Sequence, residues 1–267
     1  MSAPHPRPKK TRAALIAVLC LLPLILFIGV RLVLQAFRIP SGAMMPTLLV
    51  GDHIFATRGS GPPSRGDIVV YPFPENPAQA FIKRVIGLQG ETIEFVGNRP
   101  IINGLLVPHC HVGAVAYEGR SQELYIEYLE DRMYGVLHDV VSEETPCEVD
   151  ADCDIGMGCR AKICGIVQGP WRVPAGEVWM VGDNRNNSYD SRYWKGGQGS
   201  GVRIDTINGH AWLVWMSFDK RGGVVGDRIW ANVDGAPVLP QSASALQPAL
   251  DKCLKARPAG TEPPSGP

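Results

Sequence analysis

Lys83 is the residue whose surroundings most clearly suggest chemistry. It lies in the segment FIKRVIG, residues 81–87, and in a strand it would share one face with Phe81 and Val85. A lysine held among apolar groups loses hydration, which disfavours the charged amine and lowers its pKa. A neutral amine can accept a proton from a serine hydroxyl, which is the chemistry of a serine–lysine pair. The same pattern also fits an ordinary strand lysine that points to water.

A second unusual stretch, FRIPSGAMMPTLLVGD at residues 37–52, supplies a serine hydroxyl. Pro40, Gly42 and Pro46 argue against a helix, so the stretch is predicted to be extended with a turn. Ser41, Met44 and Met45 are then expected on exposed backbone. The stretch directly follows the long apolar run of the N-terminal region, which places it just outside a membrane if that run is an anchor.

The N-terminal region is predicted to anchor the chain in a membrane. Residues 1–12 carry basic side chains and no acid, residues 13–30 carry no charge, and the apolar character resumes after Arg31. Because about 20 apolar residues cross a bilayer as a helix, we expect one membrane helix over residues 13–37. Its basic flank is expected in the cytoplasm, with residue 38 onward outside. A cleavable secretory signal is the alternative, although the apolar run is longer than such signals usually have.

The composition and the positions of glycine and proline predict a mainly β fold. The chain has 26 basic and 26 acidic residues, so its net charge is zero and no nucleic-acid partner is indicated. Its 30 glycines and 23 prolines separate short β-branched runs from residue 53 onward, which is typical of an antiparallel β domain. The pattern fades near residue 105 and returns at residue 173. We therefore predict a barrel-like antiparallel β domain over residues 38–104 and 173–232, carried on a single N-terminal membrane helix.

Residues 105–172 are predicted to be a cysteine-rich insert, and residues 233–267 a Pro/Ala-rich tail with at most a short helix. Four cysteines crowd the insert: Cys147, Cys153, Cys159 and Cys164. Their spacing lacks the paired arms of a zinc site, so two disulfides in an oxidising compartment are favoured over metal. Four cysteines allow three pairings, and the sequence does not choose among them. No cofactor or metal is predicted.

The motifs of the β domain resemble those of type I signal peptidases. They occur in the family's order and cover residues 37–104 and 173–220. The family has its nucleophilic serine at the position that Ala43 occupies here. The matching segments are the serine-bearing motif at 37–52, a strand at 65–70, the lysine motif at 81–91, the motif GDNRNNSYDSR at 182–192 and a late strand at 211–220.

This resemblance implies a role for each site residue. Lys83 would be the general base, and Ala43 stands in the place of the nucleophile. Ser41 would offer its hydroxyl to the oxyanion beside the backbone N–H of residue 43, and Ser188 would orient Lys83. Three charged residues would hold the loop around Ser188 by charge pairing: Asp183, Asp190 and Arg192. Four apolar residues would line shallow pockets for the small side chains at positions −1 and −3 of a signal peptide: Ile39, Pro40, Met44 and Ile82.

The resemblance also implies a location and an activity. It predicts a single-pass protein of the bacterial inner membrane with a cytoplasmic N-terminus and a periplasmic catalytic domain. Its partners would be the lipid bilayer and the signal peptides of exported precursor proteins, which a Ser/Lys endopeptidase cleaves.

Ala43 puts that activity in question. A methyl group cannot attack a carbonyl, so this chain is expected to be inactive. Ala43 is either a deliberate replacement of the serine or the natural residue of a non-catalytic relative that still binds signal peptides. A membrane-anchored β scaffold is the remaining alternative.

Overall fold

The computed structural model describes residues 19, 21–23, 25, 29, 31, 33–59, 61–139 and 145–256. The predicted cytoplasmic tail, much of the predicted membrane helix and the end of the C-terminal tail lie outside these residues. Within the described residues, no helix is long and apolar enough to cross a membrane. Residues 34–37, which we assigned to the end of the membrane helix, form the first β-strand instead.

Antiparallel strands dominate the described part of the chain, which confirms the mainly β prediction. Short segments rich in β-branched and aromatic residues form them, since such side chains pack well on a pleated, half-buried surface. The strands are β1 (Leu34–Arg38), β2 (Asp52–Thr57), β3 (Ile68–Phe73), β4 (Asn76–Gly87), β5 (Thr92–Val96), β6 (Arg99–Ile102), β7 (Leu105–Leu106), β8 (His109–Tyr117), β9 (Arg120–Leu129), β10 (Arg132–His138), β11 (Gly158–Arg160), β12 (Ile163–Gly165), β13 (Val167–Arg172), β14 (Glu177–Val181), β15 (Val202–Arg203), β16 (Gly209–Ser217) and β17 (Ala231–Asn232).

An eight-stranded sheet carries the segments that resemble the family motifs. Its order is β1-β2-β16-β3-β4-β14-β15, with β17 paired to β16. β4 pairs with β14, so the lysine segment lies beside the strand that leads into the loop at residues 182–192. β1 pairs with β2 along its whole length, so residues 39–51 leave and rejoin the same sheet. One sheet therefore supports all three segments.

Smaller sheets build the part that we predicted as an insert. β10, β9 and β8 form a three-stranded sheet, and β11 and β12 form a separate hairpin. A four-stranded sheet, β13-β5-β6-β7, joins strands from both sides of these elements. β13 and β7, although within residues 105–172 of the sequence, therefore complete a sheet begun by the preceding β segments.

The crowded cysteines of the insert form two disulfides, as predicted. Cys147 pairs with Cys159 and Cys153 pairs with Cys164, one of the three pairings that the sequence allows. The Sγ atoms of Cys147, Cys153 and Cys164 lie within 4.8 Å of one another. Two adjacent disulfides account for that closeness without a metal.

A third disulfide fastens the C-terminal helix. Helix α1 (Gln247–Lys255), which matches the short helix predicted in the tail, follows a 3-10 helix at Gln241–Leu246. Cys253 of α1 pairs with Cys110 of β8 across a sequence separation of 143 residues. The sequence gives no sign of this pairing, because nothing local relates the two cysteines.

Two adjacent methionines connect two parts of the core beside residue 43. Met44 is 1% exposed and packs with Ile54 and Val214 of the eight-stranded sheet. Met45 is 4% exposed and packs with Leu124 of the three-stranded sheet. Because each buried methionine contributes roughly 1.5–3 kcal/mol, the backbone next to Ala43 is held from both sides.

Candidate active site

The place of Ala43 is set by a single 3-10 turn, Gly42–Met44, which follows extended backbone at Ser41. The prolines and glycine of this stretch predict such an extended segment with a turn. Asn184 holds the turn twice. Its backbone N–H donates to the Ala43 carbonyl at 3.1 Å, and its Nδ2 donates to the Gly42 carbonyl at 3.0 Å. Ala43 is 8% exposed, so its methyl group has a fixed position.

Lys83 lies on β4, where the strand prediction placed it. Its Nζ is 5.1 Å from the centroid of the Phe81 ring, as expected for residues that share one face of a strand. The amine donates to the Ile82 carbonyl at 3.2 Å, and the residue is 5% exposed. Lys83 is therefore a buried amine and not a lysine that points to water.

Burial is the main influence on this amine. It lowers the pKa of Lys83 to about 8, although the Asp190 and Asp183 carboxylates act in the opposite direction. Each carboxylate is already bound by an arginine: Asp190 by Arg192 and Asp183 by Arg84. A substantial fraction of the amine is consequently neutral near pH 8, which suits it to accept a proton.

The loop at residues 182–192 brings Ser188 to the same place. Arg192 donates to both oxygens of Asp190 at 2.8 and 2.9 Å, and the Gly182 N–H donates to Asp190 at 3.0 Å. Although burial opposes its ionisation, the neighbouring Arg192 holds the pKa of Asp190 below its ordinary value. Asp190 and Arg192 thus form a buried ion pair within this loop.

Asp183 holds the loop through a partner on β4. Arg84 donates Nε and Nη2 to the two oxygens of Asp183 at 2.8 and 2.7 Å, and both side chains are 1% exposed. The Thr47 hydroxyl also donates to Asp183, at 2.5 Å. Since side chains alternate along a strand, Arg84 lies on the face opposite to Lys83. β4 therefore binds the loop on one face and presents the amine on the other.

The three-stranded sheet also supports this loop, which sequence reasoning misses. Arg185 donates to Glu127 of β9 at 2.6 Å and to the Asn98 carbonyl at 2.7 Å. Gln122, also on β9, donates to Oδ1 of Asn184 at 2.8 Å. The acidic stretch around Glu127 gives no sign of this support from the sequence. In a half-buried strand the inward positions are usually apolar, whereas here one of them holds a charged residue in a buried ion pair.

One cleft of about 610 Å³ brings six of the predicted residues together. Ile39 and Met44, which we predicted as pocket residues, are 2% and 1% exposed and belong to the core cluster around Leu48. The predicted residues on the cleft wall are Pro40, Ser41, Ala43, Ile82, Lys83 and Ser188. The other lining residues, none of which was assigned a role at the site from the sequence, are Ala80, Phe81, Asn186, Asn187, Tyr189 and Tyr193.

An antiparallel β fold with a buried amine and two serine hydroxyls at one cleft is the scaffold expected for a serine–lysine hydrolase. Comparison with known proteins narrows this class. The family described as signal peptidase, peptidase S26, matches residues 11–216. The chain therefore belongs to the signal peptidase family, a family of serine endopeptidases.

Individual signal peptidases are similar to this chain. Signal peptidase I of Pseudomonas fluorescens is 34% identical, over 70% of this chain and 66% of the relative. Signal peptidase I of Aquifex aeolicus is 30% identical, over 77% of this chain and 84% of the relative. A solved signal peptidase I from Enterococcus faecalis is 26% identical over 55% of this chain and 95% of that chain, with a TM-score of 0.30. The match spans just under two thirds of the length of the Pseudomonas fluorescens relative.

Proposed function

We propose that this chain has the scaffold of a membrane-anchored signal peptidase I, that its cleft binds the signal peptides of exported precursors, and that Ala43 prevents cleavage. The observation that carries the proposal is the shared cleft. Lys83, Ser41 and Ser188 line it together with Ala43, at the position where the family has its nucleophile. Membership of the signal peptidase family supports the substrate class.

We assign a distinct role to each polar group of the cleft. With a serine at position 43, the neutral amine of Lys83 would take the hydroxyl proton, and Ser188 would orient that amine. The Ser41 hydroxyl and the backbone N–H of residue 43 would stabilise the oxyanion. With Ala43 the amine has no hydroxyl at that position to activate. Loss of a protease nucleophile costs about 10⁶-fold in turnover, so the unaltered chain should bind and not cleave.

The cleft wall supports a preference for small side chains. Pro40, Ile82 and Ala80 contribute short or rigid apolar groups beside Ala43. Ile39 and Met44 would act from below as the packing that keeps this wall in place. Small residues at −1 and −3 of a precursor would fit such shallow surfaces, and a large side chain at −1 would not.

Cleavage assays in detergent test the peptidase proposal. Ala43→Ser should cleave a precursor with alanine at −1 and −3 roughly 10⁴–10⁶-fold faster than the unaltered chain. The matched control is the same precursor with phenylalanine at −1, which should resist cleavage. Ala43→Ser combined with Lys83→Met should be inactive. A folded Ala43→Ser variant that leaves the first precursor intact would show that the site is not a peptidase site.

Binding assays distinguish a protein that binds signal peptides from a β scaffold that does not bind them. The unaltered chain should bind a fluorescent signal peptide, and Lys83→Met should bind it with similar affinity because the apolar wall remains. Binding by the unaltered chain together with inactivity of Ala43→Ser would favour a binding-only relative. If neither the unaltered chain nor Lys83→Met binds the peptide, a membrane-anchored β scaffold becomes the better description.

We also propose that the chain spans the bacterial inner membrane once, with residues 38–267 outside the cytoplasm. The support is the asymmetry of charge around the apolar run, since four basic residues and no acid precede it: Arg7, Lys9, Lys10 and Arg12. Protease added to intact spheroplasts should digest the large domain. Protection of that domain in intact spheroplasts, and digestion after lysis, would reverse the orientation.

A further inference from the structure

Lys83 presents its amine to a cleft that contains no other charged side chain among its described lining residues. The Phe81 ring centroid lies 5.1 Å from Nζ. Ala43 and Ala80 also line the cleft, together with neutral polar side chains such as Ser41 and Ser188. The polar contact of Nζ is a hydrogen bond that it donates to the Ile82 carbonyl at 3.2 Å. A donated hydrogen bond leaves the nitrogen lone pair of the neutral amine available for another reaction.

The carboxylates around Lys83 only partly offset the effect of burial on the pKa of the amine. Burial lowers the pKa of Lys83 to about 8, the Asp190 and Asp183 carboxylates oppose that shift, and Arg192 adds to it. Asp190 binds Arg192 at 2.8 and 2.9 Å. Asp183 binds Arg84 at 2.8 and 2.7 Å. Both carboxylates are therefore committed to arginines.

We propose that Lys83 is a nucleophile toward small carbonyl compounds, and that the cleft captures aldehydes with a short apolar chain as a reversible imine. The Nζ lone pair attacks the carbonyl carbon and forms a C–N bond, while the carbonyl oxygen takes up a proton. The carbinolamine then loses water, made from that oxygen and the amine hydrogens, and leaves a C=N bond. The step needs no oxidant, reductant or leaving group other than water.

Ala43 favours this chemistry in the present chain. A serine at position 43 would place a hydroxyl where it could share the lone pair of the amine, whereas a methyl group can neither donate to it nor compete for the aldehyde. The apolar lining selects the ligand class, since methyl and aromatic surfaces favour an alkyl chain over a charged one. The inference does not rest on the proposed peptidase function, because capture requires only the amine and the cleft.

Borohydride trapping of the full chain in detergent tests the proposal. The protein is incubated with butanal at several pH values, reduced with borohydride, and mapped by peptide mass spectrometry. An ordinary lysine has a pKa near 10.4, so at pH 8 or below Lys83 should be trapped at least about tenfold faster than the exposed Lys220. Trapping at Lys83 should rise with pH and level off above about 8. Equal trapping of Lys83 and Lys220 on the unaltered chain would overturn the proposal.

A second aldehyde separates recognition by the cleft from simple reactivity of the amine. Glyoxylate carries a carboxylate in place of the alkyl chain, so its preference for Lys83 over Lys220 should be about tenfold smaller than that of butanal. An equal preference for both aldehydes would exclude selection by the cleft. Lys83→Met should lose the preferred adduct, and Lys220→Met, in which an exposed amine is removed, should keep it. Failure of this test would leave the cleavage assays unaffected, since those require a serine at position 43.

Discussion

Gly182 lies so close to Ala43 that a Cβ atom placed on Gly182 would come within 2.5 Å of the Ala43 carbonyl oxygen. The same Cβ would come within 2.3 Å of Oγ of Ser188, whereas real Cβ atoms essentially never approach another atom below 3.0 Å. The hydrogen atom of glycine is therefore what allows the loop at residues 182–192 to meet the turn that carries residue 43.

Gly182→Ala should accordingly disturb the site. The added methyl group must push the Ala43 backbone or Ser188 away, and such overpacking costs about 1–3 kcal/mol in unfolding free energy. In the Ala43→Ser background it should also abolish cleavage. Gly226→Ala is the matched control because its Cβ would meet nothing within 4 Å, and its effect in urea denaturation should stay within about 0.5 kcal/mol. Equal effects of the two substitutions would contradict this account.

The ion pair between Arg84 and Asp183 should be among the most sensitive contacts of the site. Both side chains are 1% exposed, so Asp183→Asn leaves the Arg84 charge buried without its carboxylate. Removing one partner of a buried pair typically costs 3–5 kcal/mol. In the exposed pair Arg203–Asp205 the side chains are 69% and 62% exposed, so Asp205→Asn should cost less than about 1 kcal/mol. Similar unfolding midpoints for the two variants would rule out this difference.

Local sequence patterns predict much of the fold. The runs that begin near residue 53 and residue 67 become β2 and β3, and the lysine segment becomes β4. The alternation of apolar and polar residues and the flanking turn residues suffice there, because both signals are local to the strand. The motif resemblance groups Lys83 with Ser188, and both side chains line the same cleft in the structure.

Other features depend on contacts between distant residues. The pairing of Asp183 with Arg84 joins positions 99 residues apart, and only the neighbouring places of β4 and β14 bring them together. Glu127 is a charged residue whose side chain points inward to Arg185. It therefore interrupts the apolar alternation by which the sequence would reveal β9 as a strand. Ile39 and Met44 fill the core and not the cleft wall because the turn between them directs their side chains into the sheet.

The disulfide Cys110–Cys253 should stabilise the chain more than a short-range disulfide. It closes a separation of 143 residues, whereas Cys147–Cys159 closes 12. On the chain-entropy account these contribute about 5 and about 3 kcal/mol. The double substitution of Cys110 and Cys253 by alanine should therefore lower the unfolding free energy more than that of Cys147 and Cys159. Denaturation curves of both variants measure the difference, and a larger loss in the second would contradict the expectation.

Burial of Lys83 should make stability depend on pH with a defined sign. The pKa of Lys83 is about 8 in the folded chain, whereas an unfolded lysine has a pKa near 10.4. Between these values the unfolded state binds more protons, so this residue makes the unfolding free energy rise as pH rises. Below pH 8 the buried charge costs at most about 3 kcal/mol, at 1.36 kcal/mol per pKa unit.

Lys83→Met should therefore stabilise the protein most at pH 7, and its advantage over the unaltered chain should shrink as pH rises from 8 toward 10.4. Urea denaturation at pH 7, 8.5 and 10 measures the change. Lys220→Met, whose side chain is 71% exposed, should shift the unfolding free energy by less than about 0.5 kcal/mol at each pH. In the Ala43→Ser background the cleavage rate should rise over the lower part of this pH range, because the deprotonated amine is the base. If the difference in unfolding free energy between Lys83→Met and the unaltered chain stays constant with pH, burial does not lower the pKa of the amine.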